Sequence, residues 1–139
     1  MIRKAEKKDA ALLASAKKDF ADAWNEDMIN SAFNGGRFFG IINEKEDGFA
    51  FVTYSLSVDT ADIEDVFVSP VLRRKGLAKE LLELAIEDIK AKGKKRVLLE
   101  VKDTNFAAIE LYSKLGFKKI AVRKKYYSDG DALVLEKEI

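Results

Sequence analysis

Apolar positions along this chain follow two spacings. Leu77, Ala78, Leu81, Leu82, Ala85, Ile86 and Ile89 recur every three or four residues and predict an amphipathic helix from Gly76 to Lys92, ended by Gly93. Ala10, Leu13, Ala16 and Phe20 predict a helix over 9–20 with Asp9 as its cap. Another runs over 26–33, preceded by Trp24 and Asn25 and closed by Asn34-Gly35-Gly36. Ala108, Leu111, Tyr112 and Leu115 share one face of a last helix, capped by Asn105 and ended by Gly116.

Between the helices lie strand-like runs: a short edge strand over 1–4, then 37–43, 48–58, 62–68, 96–101, 117–123 and 132–137. The short links over 44–48 and 59–60 favour antiparallel neighbours, and Asp129-Gly130 supplies the last turn. A strand over 62–68, a helix and a strand over 96–101 imply a right-handed crossover joining a parallel pair. The run Val97-Leu98-Leu99-Glu100-Val101 reads as a buried strand carrying one carboxylate.

Composition narrows the chemistry. A chain of 139 residues is long enough for one cored domain, expected over 1–139, and short for two. A net charge of +1 gives no global field to gather nucleic acid, so any anion site must be local. There is no cysteine and no histidine, which removes disulfides, thiol nucleophiles, thiolate zinc sites and the commonest general base. Proton transfer would fall to carboxylates, tyrosines, lysines and water, with no metal. No run reaches membrane-spanning length and the first residues lack a signal-peptide core, so a cytoplasmic protein is expected. Neither a phosphate-binding Gly-x-x-x-x-Gly-Lys-Ser/Thr loop nor a dinucleotide-binding Gly-x-Gly-x-x-Gly is present.

One local feature runs against helix electrostatics. Arg73, Arg74 and Lys75 precede the Gly76 helix at its positive end, where each cation is disfavoured by roughly 0.3–1 kcal/mol. A bound anion would answer them, using the free N–H groups of the first turn, while Gly76 would let it approach the backbone. A solvated basic loop explains the same residues.

Arg73-Arg74-Lys75-Gly76-Leu77-Ala78 resembles the Arg/Gln-x-x-Gly-x-Gly/Ala signature of the GNAT superfamily, the N-acetyltransferases that use acetyl-coenzyme A. The order of elements is similar to that fold along essentially the whole chain, and Asn105-Phe106-Ala107-Ala108-Ile109-Glu110-Leu111-Tyr112 with Gly116-Phe117 strengthens the likeness. The resemblance implies an α/β (α+β) domain with a mixed central sheet of about seven strands flanked by about four helices. Leu99-Glu100-Val101 and the tail Arg123-Lys124-Lys125-Tyr126-Tyr127 look most like the ribosomal-protein alanine N-acetyltransferase family, which acetylates protein N-termini. Trp24 with Phe33 is a weaker echo; a proline usually precedes the tryptophan there, and Ala23 stands here.

By that resemblance Arg74, Lys75, Gly76, Leu77, Ala78 and Lys79 cradle the coenzyme A diphosphate. The backbone of Val66, Phe67 and Val68 pairs with the pantetheine arm, and Asn105 reaches the pantetheine or phosphate. Glu100 is the implied general base and Tyr112 the acid that protonates the leaving thiolate. Read as residues alone, Glu100 is equally a solvated or ion-paired glutamate and Tyr112 a core aromatic. Glu64 is the rival base, as in superfamily members that acetylate polyamines and other small amines. Tyr126 and Tyr127 line the acceptor groove or pack across strands. The expected partners are acetyl-coenzyme A and a peptide or protein N-terminus, ribosomal proteins included, with no membrane or specific nucleic acid, in a monomer or homodimer. A small-amine acetyltransferase and a non-catalytic coenzyme A-binding regulatory module are the competing readings.

Overall fold

The computed structural model describes residues 2–14, 25–44, 48–73 and 76–139. Among them the elements run β1 (Ile2–Lys4), α1 (Ala10–Ala14), α2 (Glu26–Asn34), β2 (Phe38–Asn43), β3 (Gly48–Leu56), β4 (Thr60–Val68), α3 (Leu77–Ala91), β5 (Arg96–Lys102), α4 (Phe106–Lys114), β6 (Lys118–Tyr127) and β7 (Gly130–Glu138). Hydrogen-bonded neighbours give the sheet order β1-β2-β3-β4-β5-β7-β6, so β7 inserts between β5 and β6. β1 and β3 flank β2 antiparallel, whereas β4 and β5 are parallel, paired over Thr60–Asp62 with Arg96–Leu98. The mixed sheet and its parallel pair are those the sequence predicts. Among the described residues no helix is long and apolar enough to cross a membrane.

The chain forms two compact units, Met1–Tyr54 with Asp65–Ala85, and Ser55–Glu64 with Ile86–Ile139. In the first, Leu13, Ile29, Ala32, Phe38, Ile42, Phe49, Phe51 and Phe67 make a buried cluster. Phe67 is held by ring contacts to Phe49 and Phe51 at 5.6 and 5.5 Å. The alternation of β4 therefore turns Phe67 into this core and leaves Val66 and Val68 half-buried. Just after β4, buried Ser69 fixes the chain. Its Oγ donates to the Phe49 carbonyl at 2.8 Å and accepts from the Phe49 N–H at 3.0 Å. Gly48 is required beside it, because a Cβ there would stand 2.7 Å from Leu72 Cγ.

Asn25 caps α2 as its type predicts, accepting from the Met28 N–H at 2.8 Å. Asp9 does not cap α1. It ends a 3-10 turn over Lys7–Asp9, where its carboxylate accepts from the Glu6 N–H at 2.8 Å and from both terminal nitrogens of Arg3 at 2.8 Å. A bidentate guanidinium is a stronger partner than one helix amide. The helix expected over 9–20 is described as far as Ala14; Ala16, Phe20 and Trp24 lie outside the described residues.

In the second unit β5 departs from the expected fully buried strand. Val97, Leu99 and Val101 are buried, whereas Leu98, Glu100 and Lys102 are half-exposed, so β5 packs a core on one face only. The closing hairpin differs too. Tyr127 pairs with Gly130, so Ser128-Asp129 forms the loop, and the left-handed residue is Lys125, at φ 54°. Asp131 Oδ1 holds that bulge by accepting from the Lys125 N–H at 2.7 Å.

Candidate active site

α3 begins directly after Gly76, whose φ of +73° is the left-handed conformation that glycine adopts without strain. Among the described residues, a Cβ built on Gly76 would meet nothing within 4 Å, so the space beside Gly76 is open. The first-turn N–H groups of a 15-residue helix have no carbonyl partner within the helix and carry its partial positive charge. Arg74 and Lys75 lie outside the described residues. Arg73 turns back on its own unit, donating from Nε to the Val68 carbonyl at 2.9 Å, and so fastens the end of β4. At the start of α3, Gly76 and Lys79 are exposed and Leu77 is buried, with Lys79 3.9 Å from Glu83 one turn on.

The exposed face of β5 opens on a cavity of about 480 Å³ whose lining brings both candidate bases together, Glu100 on β5 and Glu64 on β4. Asp62, Arg123, Tyr126 and Tyr127 line it as well. Glu100 Oε1 stands 2.8 Å from Arg123 Nε, with the two side chains 29% and 59% exposed. The carboxylate is therefore paired and half-solvated, which removes the cost that a buried lone charge would carry. Arg123 Cζ in turn lies 5.7 Å from the Tyr126 ring centre, and Tyr126 meets Tyr127 edge-on at 5.1 Å. Burial and then the Glu100 charge push the Tyr127 hydroxyl upward, so it stays protonated.

Tyr112 lies on α4 with its ring edge-on to Phe117 at 5.8 Å, outside the lining of that cavity. Burial pushes its phenol above the ordinary value, which keeps the proton in place at neutral pH. Asn105 caps α4, its Oδ1 accepting from the Ala108 N–H at 3.2 Å. Among the described residues, no group of three or more acidic side chains is placed to hold a metal ion.

Sequence reasoning passed over Arg123 as a binding group and Ser69 as an anchor. Glu100 faces Val134 on β7, and Arg123 faces Ala132 on that same strand from its other side. Their contact spans β7, and only the strand order reveals it.

Comparison with known proteins agrees with this fold. The model of the acetyltransferase (GNAT) family matches residues 4–117. The ribosomal protein bS18-alanine N-acetyltransferase of Escherichia coli (strain K12) is 37% identical over 90 residues, 62% of this chain and 61% of that protein, so the match spans less than two thirds of its length. That of Salmonella typhimurium is 34% identical over 120 residues, 78% of this chain and 81% of its own. The crystal structure of the ribosomal-protein-S18-alanine N-acetyltransferase from Escherichia coli superposes with a TM-score of 0.82 at 28% identity, over all of this chain and 93% of that one. The alternating order of elements, the open helix start at Gly76 and the match over 4–117 together make this chain a member of the GNAT acetyltransferase family.

Proposed function

We propose that this chain is an acetyl-coenzyme A-dependent N-acetyltransferase of the cytoplasm that acetylates the N-terminal amine of a peptide or protein. The observation that carries the reading is the start of α3, where Gly76 is left-handed and none of the described residues fills the space its Cβ would take. That opening fits a diphosphate, which needs close approach to backbone N–H groups and no side chain in the way. Gly76, Leu77, Ala78 and Lys79 would hold it, with Arg74 and Lys75 adding charge. The half-buried side of β4 at Val66 and Val68 would offer backbone groups to the pantetheine arm while Phe67 stays anchored in its core. Asn105, which caps α4, is a further candidate cofactor-binding residue.

When bound, the cofactor supplies an acetyl thioester. Glu100 takes the proton from the acceptor ammonium, directly or through a water of the cavity, and leaves a neutral nucleophile. Tyr112, held protonated by burial, gives its phenolic proton to the departing sulfur. The ribosomal-protein acceptor named for the relatives is the first candidate class here.

The test is release of coenzyme A thiol over a panel of peptide N-termini beside spermidine and an aminoglycoside. Peptides should be preferred; preference for the small amines would move the acceptor class, and no turnover despite cofactor binding would leave a binding module. Tyr112→Phe should lose about 10²–10⁴-fold in kcat while still binding the cofactor. Unaltered turnover would remove Tyr112 from the mechanism. Glu100→Gln should abolish the reaction and Glu64→Gln should leave most of it, which separates the two carboxylates that line the cavity.

A further inference from the structure

Glu100 already carries a cation where the acceptor needs to place one. Arg123 Nε lies 2.8 Å from its Oε1, inside the same cavity. An ammonium entering to be deprotonated would seek that carboxylate and meet a charge of its own sign. Arg123 has somewhere to go. It stands on β6, the last strand of the sheet order, with a side chain 59% exposed, and its Cζ already lies 5.7 Å from the Tyr126 ring, a contact that is independent of Glu100. Two residues on, the backbone is fixed by the bulge in which Lys125 is left-handed and tied to Asp131.

We propose that the Arg123 guanidinium holds the place of the acceptor ammonium on Glu100, so that acceptor binding exchanges one cation for another and Arg123 sets acceptor affinity. The inference rests on the acceptor site proposed above. It makes Arg123 a specificity-determining residue: only an amine that binds the cavity well enough to displace it reaches the base. Simultaneous binding of both cations to the two oxygens of Glu100 is the competing arrangement, and inhibition patterns separate the two.

The experiment uses the full chain with Arg123→Gln. KM for a peptide acceptor should fall roughly two- to five-fold, the span set by partly exposed ion pairs, with kcat moving less. Methylguanidinium at tens of millimolar should raise the variant's KM back toward the wild-type value by simple competition with the peptide and leave the wild type almost untouched. Arg123→Lys, which keeps a cation, should stay near the wild-type KM. An unchanged or raised KM in Arg123→Gln, or inhibition that lowers kcat without competing with the peptide, overturns the exchange. A readout free of turnover accompanies it: the side-chain carboxyl ¹³C resonance of Glu100 should shift when methylguanidinium is added to the variant and stay still in the wild type. Absence of that shift overturns the inference whether or not acetylation is seen. Its presence in an inactive protein would sink the proposed activity alone.

Discussion

Gly76 shows how a single residue separates folding from binding. At φ +73° an alanine would be strained by about 1–2 kcal/mol, yet its methyl group would touch none of the described residues within 4 Å. Gly76→Ala should therefore fold with a modestly lower melting temperature. The same methyl group would stand in the opening assigned to the diphosphate, so the Kd for coenzyme A, read by calorimetry, should rise at least about tenfold. An unchanged Kd would place the cofactor elsewhere. The signature was legible here because glycine beside misplaced cations at a helix start is a local pattern. Asp9 was misread for the opposite reason: its strongest partner, Arg3, lies in β1, and sequence offers no means to weigh a tertiary guanidinium against a helix cap.

At the scale of an element, β5 decides which side of the sheet can do chemistry. Four of the five residues over 97–101 are apolar, and composition alone cannot tell a strand buried on two faces from one that leaves Leu98 half-exposed. The alternation became visible only in the fold, and with it the reason Glu100 is affordable in that run: it lies on the open face and Arg123 answers it. Paired substitutions test this. Leu99→Ala, on the buried face, should cost about 2–5 kcal/mol, whereas Leu98→Ala should cost under about 1 kcal/mol. Similar losses from both in urea unfolding would return β5 to a two-sided core. The hairpin beyond it was half legible. Its two strands followed from alternation, but the register that makes Ser128-Asp129 the loop depends on the Lys125 bulge, whose holder, Asp131, sits across the turn.

For the molecule as a whole, the order of strands and helices was readable because each element carries its own periodicity and stop signal, whereas the insertion of β7 between β5 and β6 was not, since no local pattern encodes it. The same distinction governs stability against acid. Arg3 joins Asp9 and also Glu44 at 2.5 Å, so one guanidinium ties β1 to the turn before α1 and to the residue following β2. The bond to Arg3, ahead of the Glu6 N–H, pulls the Asp9 carboxyl below its ordinary value, down to about 2. A carboxyl that binds its proton less readily when folded stabilises the fold above its unfolded value and loses that contribution as pH falls through about 2. Partial exposure of Arg3 screens the pair, which leaves a contribution of about 1–2 kcal/mol at neutral pH. Asp9→Asn should therefore melt several degrees below the wild type at pH 7, and the gap should close steadily between pH 4 and pH 2. Thermal melts at stepped pH measure this directly. A gap that stayed constant down to pH 2 would mean that Asp9 stabilises β1 by shape and hydrogen bonding alone, with its charge irrelevant to the fold.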